Sequence, residues 1–420
     1  MKSANHMKQK PLTVVFASLI LIGGFLPPAT FAQTLDEACT AIANRLMAEQ
    51  IQQGDKAGTW TSEADFTGSI VAGMMAACEM SSRDAWMASA ELGGDYILRS
   101  AEGNFYGDEA YALTRLSEAA ADPCDNAWRT AVESFYATVS AEYPGGTMGY
   151  IEDYGRIDHS TAVFYIANHV VAACYVDAAD KEIWRQGLIE SLCGVDDSCL
   201  FPVMGLGVAT WALALTGPLD KTPIMDPVGQ GAAYWTGSTL QDLPHMLMSR
   251  QVPEGRQGAG GFYWLFGQVD GDPNGWTEDT IFATLGLTAA ARTSSDPKLD
   301  SAILAAREAL LSGVAADGRV WELLSQQGAV YFVYAGEMLQ ALEALSLLSV
   351  PADINKDGQV DLTDFQILIA RWGSSNCEEP SWCDGADINR DGQVDAADLG
   401  ILLEFLPNQQ ASVSDEASGM

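Results

Sequence analysis

Two stretches near the end of the chain carry the oxygen ligands of a calcium site twice over. Asp353-Ile-Asn-Lys-Asp-Gly-Gln-Val-Asp-Leu-Thr-Asp364 returns thirty-four residues later as Asp387-Ile-Asn-Arg-Asp-Gly-Gln-Val-Asp-Ala-Ala-Asp398. A calcium ion takes six to eight hard oxygens, and a twelve-residue loop supplies them from positions 1, 3, 5, 7, 9 and 12. The first copy offers Asp353, Asn355, Asp357, the Gln359 carbonyl, Asp361 and Asp364. The second offers Asp387, Asn389, Asp391, the Gln393 carbonyl, Asp395 and Asp398. Gly358 and Gly392 stand where such a loop turns sharply. The spacing predicts two bound Ca2+ ions.

Two further stretches hold groups that move protons or stack on sugars. Residues 149–160 pack Tyr154, Arg156, Asp158 and His159 into one segment. Residues 251–279 gather Arg256, Tyr263, Trp264, Asp270, Asp272, Asn274, Trp276, Glu278 and Asp279. Hydrolysis of a glycosidic bond takes two carboxylates across the sugar, and Asp158 with Glu278 are the candidates. Cleavage by β-elimination takes a base instead, for which Arg156, His159 and Tyr154 are the candidates. Tyr263, Trp264 and Trp276 offer flat faces to the apolar side of a sugar ring, and Asp279 an acceptor for its hydroxyls. Plainer roles stand beside these. Asp158 is well placed as a helix N-cap, and the three aromatics suit a plug of packed side chains. Asp65, Asp108, Arg319, Trp321 and Glu322 are lesser candidates. Glu337 sits inside an otherwise apolar segment, where burial would raise its pKa.

The elements that position these groups are helices in pairs. One member has a wet face: Leu35, Ala38, Cys39, Ile42 and Leu46 line one side of 35–52, and 83–99, 126–141, 180–193, 236–251 and 298–314 repeat the pattern. The other member, at 66–79, 107–120, 159–176, 204–216, 278–292 and 328–348, is apolar nearly all round, which marks a buried helix. Six buried helices alternating with six half-wet ones predict an all-α fold. It is an (α/α)6 toroid of six helical hairpins over 33–350, followed by a small tandem loop-helix calcium module. A super-helical stack of hairpins is the alternative. In a toroid the inner helices start on one face, so the loops entering them hold the site.

Each calcium loop runs directly into an apolar helical stretch, Phe365 to Trp372 and Leu399 to Leu406, with no helix leading in. This duplicated loop-helix unit, ending each loop in Asp, resembles a dockerin module over 351–407. The resemblance implies a module that folds with calcium and holds its chain to a cohesin-like partner. The positions that commonly contribute to partner choice are Leu362-Thr363 and Ala396-Ala397 here. Glycine-aromatic turns such as Gly260-Gly-Phe262-Tyr263-Trp264 ahead of inner helices are similar to those in terpenoid cyclase, prenyltransferase and polysaccharide lyase toroids. The Asp-x-Asp-Asp motif and the zinc ligands of the first two are missing.

Residues 1–32 read as a signal peptide: Lys2, Lys8 and Lys10, an apolar run from Leu12 to Phe25, then Pro27-Pro28 and a small-residue cleavage site. The expectation is export, to the medium or the cell surface, with no membrane span in the mature chain and a disordered tail at 408–420. A net charge of −34 repels nucleic acid and anionic membranes. Eight cysteines in an oxidising compartment predict four disulfides in sequence order, Cys39–Cys78, Cys124–Cys174, Cys193–Cys199 and Cys377–Cys383. The combined expectation is a secreted carbohydrate-active protein that degrades a polysaccharide as a hydrolase or lyase. A non-catalytic toroid binding glycan or protein is the alternative, and a terpenoid cyclase-like enzyme is further off.

Overall fold

A computed structural model describes residues 33–405, apart from 62, 82, 124–125, 157, 226–230, 268–274, 295, 349–351, 353, 355–359, 361, 378–381 and 390. The expected leader and tail therefore lie outside the described residues. So do Cys124, Asp270, Asp272 and Asn274, and the first-loop ligands Asp353, Asn355, Asp357, Gln359 and Asp361.

The buried helices of the sequence form an inner ring. They are α2 (Thr67–Met80), α4 (Gly107–Ala119), α7 (His159–Tyr175), α9 (Pro202–Thr216), α11 (Thr277–Ala291) and α13 (Phe332–Ser346). Each packs on the next, and α13 packs back on α2, so the ring closes. The half-wet helices pack outside: α1 (Leu35–Glu49), α3 (Asp84–Ala101), α5 (Ala127–Glu142), α8 (Lys181–Leu192), α10 (Leu243–Met248) and α12 (Pro297–Gly313). Their burial follows from the sequence period. On α1 only Ala38, Cys39, Ile42, Ala43 and Leu46 are buried, whereas α2 is buried at every position from Thr67 to Cys78. The seam between last and first hairpins is tight. A Cβ at Gly73 would come within 2.0 Å of the Gly336 carbonyl oxygen, so only glycine admits that approach of α2 to α13.

The structure departs from the expected helices in three places. An added helix, α6 (Gly146–Tyr154), precedes α7. Helix α10 is a short segment entered through a 3-10 turn at Leu240–Asp242. Ahead of α13, residues 328–330, read as the start of that helix, belong instead to an antiparallel hairpin of β1 (Trp321–Leu323) and β2 (Gln327–Val330). Two helices, α14 (Leu362–Ala370) and α15 (Ala396–Phe405), belong to the C-terminal module, which has its own small core of Ile354, Leu368, Ile388, Val394 and Leu402. No helix among the described residues is long and apolar enough to cross a membrane.

Of the expected disulfides, Cys377–Cys383 is formed. Cys39, Cys78 and Cys199 are thiols, so Cys39–Cys78 and Cys193–Cys199 are not closed. Burial pushes the Cys39 thiol up to about 12 and Cys78 to about 11, which keeps both protonated and inert.

Far along the inner helices from their starts, the buried Arg115 and Glu343 form an ion cluster with Glu79 at its wet edge. Arg115 bonds Glu343 through both carboxylate oxygens, at 2.9 and 3.2 Å, as well as Glu79 at 2.8 Å and the Tyr111 hydroxyl at 3.0 Å. Burial pushes Glu343 up to about 7, against the pull of Arg115. Removing one partner strands the other in low dielectric. Arg115→Ala should therefore cost about 3–5 kcal/mol of stability, read by chemical denaturation. A loss below about 1 kcal/mol would show that solvent reaches the cluster.

Candidate active site on the ring rim

The inner helices all start at one rim, and carboxylates hold those starts together. Asp108, in the first turn of α4, accepts the Ser69 N–H of α2 at 3.1 Å. Asp279, in the first turn of α11, accepts the Met204 N–H of α9 at 2.8 Å. Asp158 caps α7 through the Thr161 N–H and also accepts the Leu200 N–H, both at 3.1 Å. Glu63 accepts the Phe332 and Val333 N–H groups of α13 at 3.0 and 2.7 Å. The unpaired N–H groups and partial positive charge of a helix start favour such partners. Asp158 and Asp279 thus serve backbone.

Glu278 is different. Tyr334 of α13 and Glu322 of β1 lie close enough to act on its carboxyl. Backbone pairing explains the meeting, because Trp276 bridges Leu323 on one side and Phe262 on the other. That sets Glu322 beside the segment that opens α11. The half-buried Glu278 carboxyl is pushed up to about 7 by burial, opposed by the Tyr334 hydroxyl and raised further by Glu322. Beneath the rim, burial holds the Glu337 carboxyl well above the carboxylate range, and the charges of Glu278, Asp108 and Glu63 add to this. One oxygen of Glu337, Oε2, has no hydrogen-bond partner. Burial thus favours the protonated form of Glu337, as its place in an apolar helix implied. A carboxyl that keeps its proton near neutrality can donate it, which is what a leaving oxygen needs.

Aromatic rings flank this group. Trp264 and Trp276 are half-buried and stacked, with centroids 5.3 Å apart and planes 23° from parallel. Tyr331 meets Tyr334 edge-on at 5.0 Å. Tyr263 is buried in the core instead, with the Arg256 guanidinium 3.4 Å from its hydroxyl. Below the rim the ring axis is filled by Tyr111 against Trp211 and Phe164 against Phe282. A cavity of about 10 Å3 remains there, lined in part by Ser69, Asp108, Asn168 and Gln340.

The remaining candidates are dispersed. Tyr154 is enclosed, 3.3 Å from His169 Nε2, among Tyr150, Tyr165 and His169. Burial holds its hydroxyl well above its ordinary value. Arg156 is 80 % exposed and pairs with Asp153 at 3.0 Å. His159 is exposed, its ring packed over Gly194. Tyr334, which singles out Glu278 among the rim carboxylates, carries no signal in the sequence beyond its place in the first turn of an inner helix.

In the C-terminal module the second loop is described apart from residue 390. Gly392 makes the turn at φ +94°. Asp387 accepts the Asp391 and Gly392 N–H groups, at 3.1 and 2.9 Å. Asp398 accepts those of Ile388, Asn389 and Asp395, at 2.7, 3.1 and 2.8 Å. The first copy repeats the last of these devices: Asp364 accepts the Ile354 N–H at 2.7 Å. Asp364, Asp387 and Asp398 are buried. Burial, with the charges of Asp398 and Asp391, raises the Asp387 carboxyl. An all-oxygen donor set under mutual repulsion fits a hard cation such as Ca2+. Among the described residues no three acidic, histidine or cysteine side chains form a ready-made metal cage; their oxygens hold backbone N–H groups.

The family model described as dockerin type I domain matches residues 351–406. Among solved structures, the α-1,6-mannanase of Salegentibacter sp. HEL1_6 aligns over 75 % of this chain and 100 % of its own, at 11 % identity and a TM-score of 0.51. An inactive variant of that enzyme in complex with α-1,6-mannotriose aligns over 74 % and 99 %, at 11 % identity and a TM-score of 0.50. The unsaturated glucuronyl hydrolase of Bacillus sp. GL1 aligns over 74 % and 97 %, at 15 % identity and a TM-score of 0.49. Likeness at such identities is one of fold. No curated protein matches the sequence. Residues 351–406 are thus a dockerin type I domain, and the helical body ahead of them has the (α/α)6 toroid fold.

Proposed function

We propose that the toroid, residues 33–350, hydrolyses a polysaccharide with Glu278 as its general acid. The dockerin module, at 351–407, attaches it to a cohesin-type partner. The observation that carries the reading is the Glu278 carboxyl itself: on the rim, near Tyr334 and Glu322, and pushed up to about 7. Glycosidic cleavage takes one protonated and one ionised carboxyl group, and Glu322 is the candidate for the second. The stacked Trp264 and Trp276 offer the apolar face that sugar rings prefer. Elimination has less support, because Tyr154 is enclosed and Arg156 and His159 are engaged elsewhere. The module binds two Ca2+ ions, one per loop, and the chain is exported by residues 1–32 to work outside the cell.

The test is activity of the mature chain on a panel of polysaccharides, following new reducing ends together with the ultraviolet absorbance of unsaturated uronates. Reducing ends alone are expected. Both signals together would replace hydrolysis by elimination, and silence on every glycan would remove the enzymatic reading. Trp264→Ala is expected to raise KM about 3- to 10-fold with little change in kcat, since a ring stack contributes about 0.5–1.5 kcal/mol. An unchanged KM would take the tryptophan pair out of the substrate path.

A further inference from the structure

We infer that the rim site takes neutral sugars and rejects uronic acids; this rests on the reading of the rim as a glycan site. The side chains that converge there are acids. Glu278 and Glu322 face Tyr334, Glu337 lies beneath them, and Asp108 and Glu63 stand behind Glu337. Glu322 is held in place, its Oε2 accepting the Ala329 N–H at 3.2 Å across the hairpin. A sugar stacked on Trp264 and Trp276 would present its hydroxyls to these carboxyls, which accept and donate hydrogen bonds readily. A sugar carboxylate in the same place would meet like charge in a half-buried setting, where water screens it poorly.

Among the described residues, four arginines of this side of the ring lie against groups other than Glu278 and Glu322. Arg319 pairs with Asp317 at 2.8 Å and lies over the Trp321 ring. Arg45 lies 4.8 Å over the Phe332 ring, and its charge falls on Glu63. Arg250 and Arg256 gather on the buried Tyr263 ring. None of the four is among the groups acting on Glu278 or Glu337. An Arg or Lys aimed at the substrate is what carboxylate recognition calls for.

The experiment compares binding of soluble neutral glucans and mannans with that of the same polymers oxidised at C6 to uronates. The protein is the full chain carrying Glu278→Gln, so that nothing is turned over, at pH 8 and low salt. Neutral polymers should bind at least about tenfold more tightly. Adding Glu322→Gln, which keeps the acceptor for Ala329, should shrink that gap several-fold. Repulsion by the overall acidic surface would not respond to one residue, so an unchanged gap would overturn the inference. Equal or tighter binding of the oxidised form would also overturn it, and would point to Arg45, whose Nη1 has no hydrogen-bond partner. Binding of neither form would remove the glycan reading itself, and a preference for uronates would leave that reading standing.

Discussion

Glu278→Gln should lower kcat by about 10²–10⁴-fold and leave KM near its original value. Positioned proton donation contributes an effect of that size, and the amide keeps the shape and the Tyr334 contact while losing the proton. The pH profile should carry the same signature. Activity that needs the protonated carboxyl falls as pH rises through about 7, and the variant's residual activity should lack that limb. Stability changes in step. The folded pKa of about 7 stands above the ordinary 4.5, so the folded chain holds a proton that the unfolded chain has released. Between those values the native state binds more protons, and stability declines as pH rises. The variant should lose that part of the decline and be the more stable protein at pH 8. A kcat within threefold of the original, measured by reducing ends, would exclude Glu278 from the chemistry.

The second large effect is expected in the C-terminal module. Chelation of calcium should unfold residues 351–406 and abolish attachment to a cohesin-type partner, while the toroid keeps its thermal transition. The small module core, built on Ile388, Val394 and Leu402, is distinct from the toroid core. It is too small to hold buried carboxylates together under repulsion, so the binding free energy of the ion serves as folding free energy. Asp398→Ala removes the acceptor for three backbone N–H groups as well as a proposed calcium ligand. It should weaken calcium binding by at least about 100-fold, read by titration calorimetry. Limited proteolysis provides the check. If 351–406 resisted cleavage equally with and without chelator, the module would be standing on its apolar core alone.

The six hairpins were legible because inner and outer helices face different surroundings. An inner helix touches neighbours on every side, so α9 from Pro202 to Leu213 is buried throughout. An outer helix shows a stripe. The hairpin at 321–330 was hidden because Gly328-Ala-Val330 continues smoothly into the apolar α13 segment; the reversal is made by Gln326, at φ +58°, and Gly328, at φ +87°. Rim carboxylates were legible as a set and illegible one by one. A helix start favours Asp or Glu whether it caps a backbone or works on a substrate. Asp158 and Asp279 do the first, and Glu278 is separated from them only by Tyr334 and Glu322, which approach from a different hairpin. The dockerin module was legible because its repeated loop pattern lies within one short segment, and its family model matches residues 351–406.

The Glu63 bonds to Phe332 and Val333 bring the first and last hairpins together across about 270 residues of chain. During synthesis, therefore, α2 emerges long before the surface that covers it. Five hairpins can stack in order as they appear, yet the apolar flank of α2 stays bare until α13 has left the ribosome. Such late, distant closure slows folding and exposes the intermediate to aggregation. Ending the chain ahead of α13 should thus yield an insoluble product rather than a smaller ring, and the dockerin segment, made after α13, follows a ring that is only then complete.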